Sequence, residues 1–193
     1  MTIIWCDMET TGLDHRRDPI LEVALIATTS SLTTIAERTW LHVPPDWDRI
    51  RSDLHPAVDE MHTANGLLAD IDALHEKGGE PYLFGIEDQI MAWIGSVQAG
   101  RGKATIGGSG VASFDIQVIR QQMPRLAQRL NYWSYDIGSV RRVGLLAGIA
   151  APSEMSDGAV KTHRALDDVR MHLAAARWWL DLLTRVRHSG LRG

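Results

Sequence analysis

The chain has 193 residues, 45% of them hydrophobic, with a formal net charge of −4 and a single cysteine. That length and apolar content suit one well-packed domain. The negative balance excludes broad electrostatic binding to a long duplex, yet it is compatible with an acidic site whose positive field comes from bound cations. Cys6 has no partner for an internal disulfide, apolar runs are too short for a bilayer span, and no secretion signal opens the chain, so a cytoplasmic protein without membrane contact is expected.

In chain order, Ile3–Cys6 reads as a first strand, with Cys6 a small buried residue inside it. Ile20–Thr28 and Leu32–Val43 follow as strands, joined by turn-like segments into an antiparallel meander that Pro44-Pro45 ends. Pro56–Leu68 is a helix, and the polar stretch Ile71–Glu80 a loop or frayed helix. Tyr82–Val97 has apolar residues at helical spacing. Ala104–Ile106 is a short strand before a glycine-rich run, and Ser113–Met123 a helix with Ser113 as its cap. Tyr135–Ile137 is a brief strand, Val140–Ala147 a helix, Pro152–Lys161 a small-residue loop, and Arg164–Arg187 a long amphipathic helix. Strands first, then helices alternating with short strands, predict an α/β fold: a mixed sheet flanked by helices. Residues 1–187 form the single domain and 188–193 a flexible tail.

Asp7 and Glu9 stand two apart at the end of the first strand, so both project from one face. Two carboxylates held together repel each other, and a divalent cation between them relieves this. Asp115 lies at a helix start just beyond Gly107–Gly110. His163 and Asp168 are five apart, which on a helix turns them roughly 140° away from a shared face. This puts His163 before the helix and Asp168 in its second turn. Taken singly these residues are unremarkable: a solvent-facing pair, a helix-start carboxylate favoured by the macrodipole, a capping histidine. Asp167 is as good a ligand as Asp168 by sequence alone. Together they suit phosphodiester hydrolysis, which needs an activated water and neutralised oxygens. Two Mg²⁺ or Mn²⁺ ions on hard oxygen ligands serve that need, and a histidine can accept the water's proton. His15, His42, His55, His75, His172 and His188 read as surface or incidental residues, and the seven tryptophans as packing, with Trp178-Trp179 as packing or an interface seam.

Asp7-x-Glu9, then Asp115, then His163-x-x-x-x-Asp168 resemble the DEDDh 3′–5′ exonucleases, whose fold is RNase H-like with a five-stranded sheet. Within that superfamily the chain is most similar to oligoribonucleases. Asp7-Met8-Glu9-Thr10-Thr11-Gly12-Leu13, Met61-His62-Thr63-Ala64-Asn65-Gly66-Leu67 and Thr162-His163-Arg164-Ala165-Leu166-Asp167-Asp168 carry the likeness, with Asn65 where Ser is usual. The likeness spans Ile3 to about Trp179. It implies that Asp7, Glu9, Asp115 and Asp168 bind two Mg²⁺ or Mn²⁺ ions and that His163 is the general base. It also implies that Leu13 wedges against the terminal bases, that His62 contacts the 3′ nucleotide, that Ser109 lies near the strand, and that the protein is a homodimer. The substrate is then short single-stranded RNA, released as nucleoside 5′-monophosphates. In Tyr132–Ser139, Trp133 replaces the Arg that caps a 5′ phosphate and Gly138 replaces a Ser. Trp133 offers a stacking face instead, which favours substrates longer than dinucleotides.

Two other functions compete with this one. A proofreading-type DNA exonuclease shares the chemistry; the His62 segment favours RNA. A nucleic-acid-binding module without catalysis would have no need of an intact ligand set and His163.

Overall fold

The computed structural model describes residues 1–78, 83–98, 100, 102–152 and 162–190. Five strands, β1 (Ile3–Thr10), β2 (Ile20–Thr28), β3 (Thr34–Leu41), β4 (Ala104–Gly108) and β5 (Leu130–Asp136), form one sheet in the order β3-β2-β1-β4-β5. β1, β2 and β3 pair antiparallel as the expected meander, while β1–β4 and β4–β5 pair parallel. The mixed five-stranded α/β sheet of the RNase H-like fold is therefore present.

Helices α1 (Trp47–Ser52), α2 (Pro56–Ala64) and α3 (Leu67–Glu76) follow the meander. After them come α4 (Leu83–Val97), α5 (Asp115–Gln122), α6 (Pro124–Gln128), α7 (Ile137–Leu146) and α8 (Ala165–Gly190). The alternation of β1 separates two cores. Ile4, Cys6 and Met8 pack with Ile86, Ile90 and Trp93 of α4 and Val118 and Ile119 of α5. Ile3 and Trp5 point the other way, onto Ala165, Val169, Leu173, Ala176 and Trp179 of α8. A third cluster joins Leu21 and Val43 to Trp47 of α1 and to Leu67, Leu68 and Ile71 of α3.

Several boundaries differ from those expected, for local reasons. β1 runs on past Cys6 to Thr10, because β2 pairs with it along its whole length. The expected helix Pro56–Leu68 is two helices. Asn65 ends α2, and Gly66 takes a left-handed φ of 78° that glycine adopts freely. The segment from Ile71 to Glu76, expected as loop or frayed helix, belongs to α3, held by the buried Ile71. Ser113 is not a cap: its hydroxyl donates to the Gly110 carbonyl at 2.8 Å, and α5 begins at Asp115. β3 is shorter than Leu32–Val43, and β5 starts earlier than Tyr135, at Leu130. The short helices α1 and α6, too brief to show a period, are fastened by buried Trp47 and Leu126. α8 continues through His188 to Gly190, so the first part of the expected tail is helical. Residues 191–193, and all but Pro152 of the expected loop Pro152–Lys161, lie outside the described residues.

Trp179 is packed in the core. It is 4% exposed, its ring packs edge-on to Trp178 with centroids 4.8 Å apart, and it fills the space beside Gly144 of α7. A Cβ at Gly144 would stand 1.9 Å from the indole. Gly144→Val should therefore cost about 3 kcal/mol, the upper part of the usual overpacking range. The readout is a lower denaturant midpoint at unchanged slope; an unchanged midpoint would mean that α7 moves aside freely.

Candidate active site

β1 pairs with β4 only from Ile3↔Thr105 to Trp5↔Gly107. Beyond Trp5 its β4 edge is uncovered, and Asp7 and Glu9 extend over the carboxyl end of β4, where open α/β sheets place their ligands. The chain leaving β4 passes very close. A Cβ on Gly108 would lie 2.8 Å from the Cys6 carbonyl, so this position requires glycine. The next turns bring Asp115 to the start of α5. From the opposite side α8 lays the stripe Ala165, Val169 and Leu173 on the sheet. Asp168 falls on that stripe, in the first turn rather than the second.

These elements surround a cleft of about 360 Å³. Asp7, Glu9, Asp115, His163 and Asp168 all line it, together with Leu13 and Ser109. Glu9, Asp115 and Asp168 are buried, at 8%, 4% and 4% exposure. Ligand atoms of Glu9, His163 and Asp168 lie within 4.8 Å of one another. Several carboxylates converging with an imidazole in a buried cleft fit a hard divalent cation. The choice between neighbours is also clear. Asp168 faces the cleft, whereas the Asp167 side chain is half-exposed and pairs with Arg170 at 3.5 Å.

The start of α8 is fixed by a buried carboxylate on β2. Glu22, directly across from Glu9 in the sheet and 2% exposed, accepts from the Ala165 amide at 2.9 Å and from Arg164 Nη2 at 3.0 Å. Arg164 also reaches Asp70 of α3 at 2.9 Å. Glu22 thus caps the helix that carries Asp168 and ties it to the strand beside Asp7 and Glu9.

Two expected substrate residues sit elsewhere. His62 is completely buried; its Nε2 donates to the Thr10 carbonyl at 3.1 Å and lies 3.8 Å from Glu9 Oε2. Burial pushes its imidazole below the usual histidine range. His62 supports the end of β1 through the Thr10 carbonyl. Trp133 is on the outer strand β5, stacked edge-on to Tyr135 at 5.4 Å, and does not line the cleft. At Gly138, where the resemblance expects a Ser, a Cβ would meet the Ser109 hydroxyl at 2.9 Å, so that hydroxyl would have to turn aside to admit one. Leu13 is 86% exposed and lines the cleft.

Phe114, Met61 and Val58 give the cleft apolar walls that the motifs did not mark. His172 was read as incidental, yet it is 5% exposed with Nδ1 3.9 Å from Asp7 Oδ1. Its position four residues after Asp168, on the same helical stripe, was the available signal. His42 is buried as well, its Nδ1 donating to the Ile20 carbonyl at 2.8 Å.

Similarity to known proteins agrees with this geometry. The chain is 31% identical over 179 residues to the oligoribonuclease of Streptomyces coelicolor, covering 92% of this chain and 84% of that one. It is 33% identical over 172 residues to the oligoribonuclease of Actinobacillus succinogenes, covering 87% of each. The chain belongs to the oligoribonuclease family. It is thereby a 3′–5′ exonuclease. No protein-family model matches it. Among solved structures, exonuclease I from Methylocaldum szegediense superposes with a TM-score of 0.67 at 22% identity, over 91% of this chain and 39% of that one. Exonuclease I of E. coli, in complex with a 5cy-dT13 oligonucleotide, gives 0.62 at 18% identity. The chain spans about two fifths of the length of those exonuclease I chains, and the likeness to them is one of fold.

Cys6, next to Asp7 in β1, is fully buried in the core cluster with α4 and α5. Burial first, then the negative charges of Asp115 and Asp7, push its thiol well above the usual range. Native protein at pH 8 should therefore resist iodoacetamide, and alkylate fully once unfolded in guanidinium. Rapid native labelling, read by mass spectrometry, would contradict the packing of Cys6 between β1, α4 and α5.

Proposed function

We propose that the protein is a metal-dependent 3′–5′ exoribonuclease that hydrolyses short single-stranded RNA to nucleoside 5′-monophosphates. The observation that carries this reading is the convergence of Asp7, Glu9, Asp115, His163 and Asp168 on one buried cleft. The curated relatives are named oligoribonucleases, which favours RNA. Complexes of exonuclease I with DNA oligonucleotides favour the alternative, a DNA exonuclease on the same chemistry.

The four carboxylates would hold two Mg²⁺ or Mn²⁺ ions, which when bound supply a polarised water and neutralise charge on the phosphate. The protein's own residues do the rest. His163, which lines the cleft within 4.8 Å of Glu9 and Asp168 ligand atoms, accepts the proton of the attacking water. Leu13, standing free at the mouth, separates the terminal base from the one before it. Ser109 and the walls of Phe114 and Met61 confine the terminal nucleotide and exclude bulk water. With Trp133 remote from the cleft and no Arg in its place, 5′-phosphate capping is weak, and strands of several nucleotides are substrates.

One assay tests these assignments together: turnover on 5′-phosphorylated RNA and DNA ladders of increasing length, with and without Mg²⁺. Asp115→Ala and Asp7→Ala should abolish hydrolysis with the fold intact. His163→Ala should lower turnover by about 10²–10⁴-fold, the scale of general-base loss, with Mn²⁺ binding by calorimetry unchanged. Full activity in either Asp variant would refute the metal site. Faster cleavage of DNA than of RNA would make the alternative correct, and a sharp maximum at dinucleotides would show that another group caps the phosphate.

The homodimer is proposed on the apolar surface shared by α7 and α8, whose hollow Trp179 also lines. Val143 and Leu146 of α7 and Leu180, Leu183 and Val186 of α8 are exposed, at 43–90%. Beside them lies an apolar hollow of about 630 Å³. Apolar surface gathered in this way marks an association site. Light scattering at micromolar concentration should give twice the 21.4 kDa chain mass, and Leu183→Glu should return it to the monomer; a wild-type monomer would refute the dimer.

A further inference from the structure

The structure assigns to Asn65 the positioning of His163, an inference that rests on His163 being the general base. His163 precedes α8 with a left-handed φ of 51°, uncommon for a residue with a Cβ. A backbone in that region persists where its surroundings hold it, and such positions gather at functional sites. Behind it, Arg164 and Ala165 are held by Glu22 and Asp70. Across from it, the Asn65 side-chain amide donates from Nδ2 to the His163 carbonyl, 98 positions away in sequence. The same side chain accepts the Leu67 amide through Oδ1 at 2.9 Å. The two partners fix which way the amide points, since a carbonyl only accepts and a backbone N–H only donates.

Asn65 is therefore a rigid bridge. One end is anchored in the left-handed turn between α2 and α3, the turn that splits the helix. The other end holds the peptide plane next to the catalytic imidazole. The bond to the carbonyl restrains rotation about the His163 backbone and hence the direction of the ring. The Ser usual at this position in the family has one polar atom on a shorter side chain and cannot fill both places as Asn does. The departure at residue 65 and the strained backbone at residue 163 thus have one explanation. Asn65 is a positioning residue; it is not among the residues that line the cleft.

The test is a double-substitution cycle on the full chain, using single-stranded RNA and Mg²⁺. Asn65→Asp keeps the acceptor for Leu67 and loses the donor to His163, so the turn retains its anchor. Its kcat should fall by about 10–100-fold, the scale of a misplaced catalytic group, with KM changed less than about threefold. In a His163→Ala background the same substitution should cost nothing further, because there is no ring left to aim. Asn65→Gln, which lengthens the bridge while keeping both polar groups, should recover part of kcat. An equal loss in both backgrounds would show a merely structural role and overturn the proposal, as would full kcat in Asn65→Asp. If His163→Ala itself retained full turnover, the general-base assignment would fall and this inference with it. If His163→Ala is impaired and Asn65→Asp is not, this inference alone falls. Should Asn65→Asp lower the melting temperature sharply, Asn65→Gln decides the matter: intact folding with a partial kcat loss in the wild-type background and none in His163→Ala supports the bridge, and an equal loss in both backgrounds overturns it.

Discussion

Everything at this site depends on a central strand that is buried on both faces yet carries charge at its end. β1 is covered by α4 and α5 on one side and α8 on the other. Its first half is paired on both edges, and its second half on one only. Alternation then dictates that Asp7 and Glu9 share the face on which Ile3 and Trp5 meet α8. Placing carboxylates there carries a desolvation cost, and it is tolerable only where the covering elements offer compensating groups. The short overlap with β4 provides that relief by opening the cleft just where the carboxylates begin.

The elements that close the cleft are held by side chains that are not themselves reactive. Glu22 caps α8 and pairs with Arg164, His62 braces the Thr10 carbonyl, and Asn65 bonds the His163 carbonyl. Each contact joins segments far apart in the chain at a backbone group within two residues of a proposed catalytic residue. Hydrogen bonds of this kind contribute modestly to stability. Their larger effect is on precision, because chemistry that depends on a near-attack geometry is sensitive to displacements of about 1 Å.

Much of this was legible from residue order. The β2 span emerged with its ends intact because a mostly apolar stretch rich in β-branched residues between turn residues reads as a strand. The Asp7/Glu9 pairing followed from the period of a strand. Short elements were less legible. α1 and α6 are too brief to show a helical period, and their anchors Trp47 and Leu126 acquire meaning only against the surfaces they fill. The Asn65-Gly66 pair was the available sign that the chain turns there and makes two helices out of one. The burial of His62 was not legible, because the motif around it marks the residue type and not its depth.

The amino-acid sequence by itself determined the strand meander, the amphipathic last helix, the types of residue in the site and hence the class of chemistry. Local periodicity and the ligand preferences of hard cations are properties of short segments, and they survive without a fold. Tertiary structure alone decided that His172 stands beside Asp7, that Trp179 is core, and that Asn65 holds His163. Those outcomes depend on how α8 docks against β1 and β2 and where the α2–α3 turn comes to rest. Docking is set by the summed packing of many distant side chains, and no spacing within one segment encodes it.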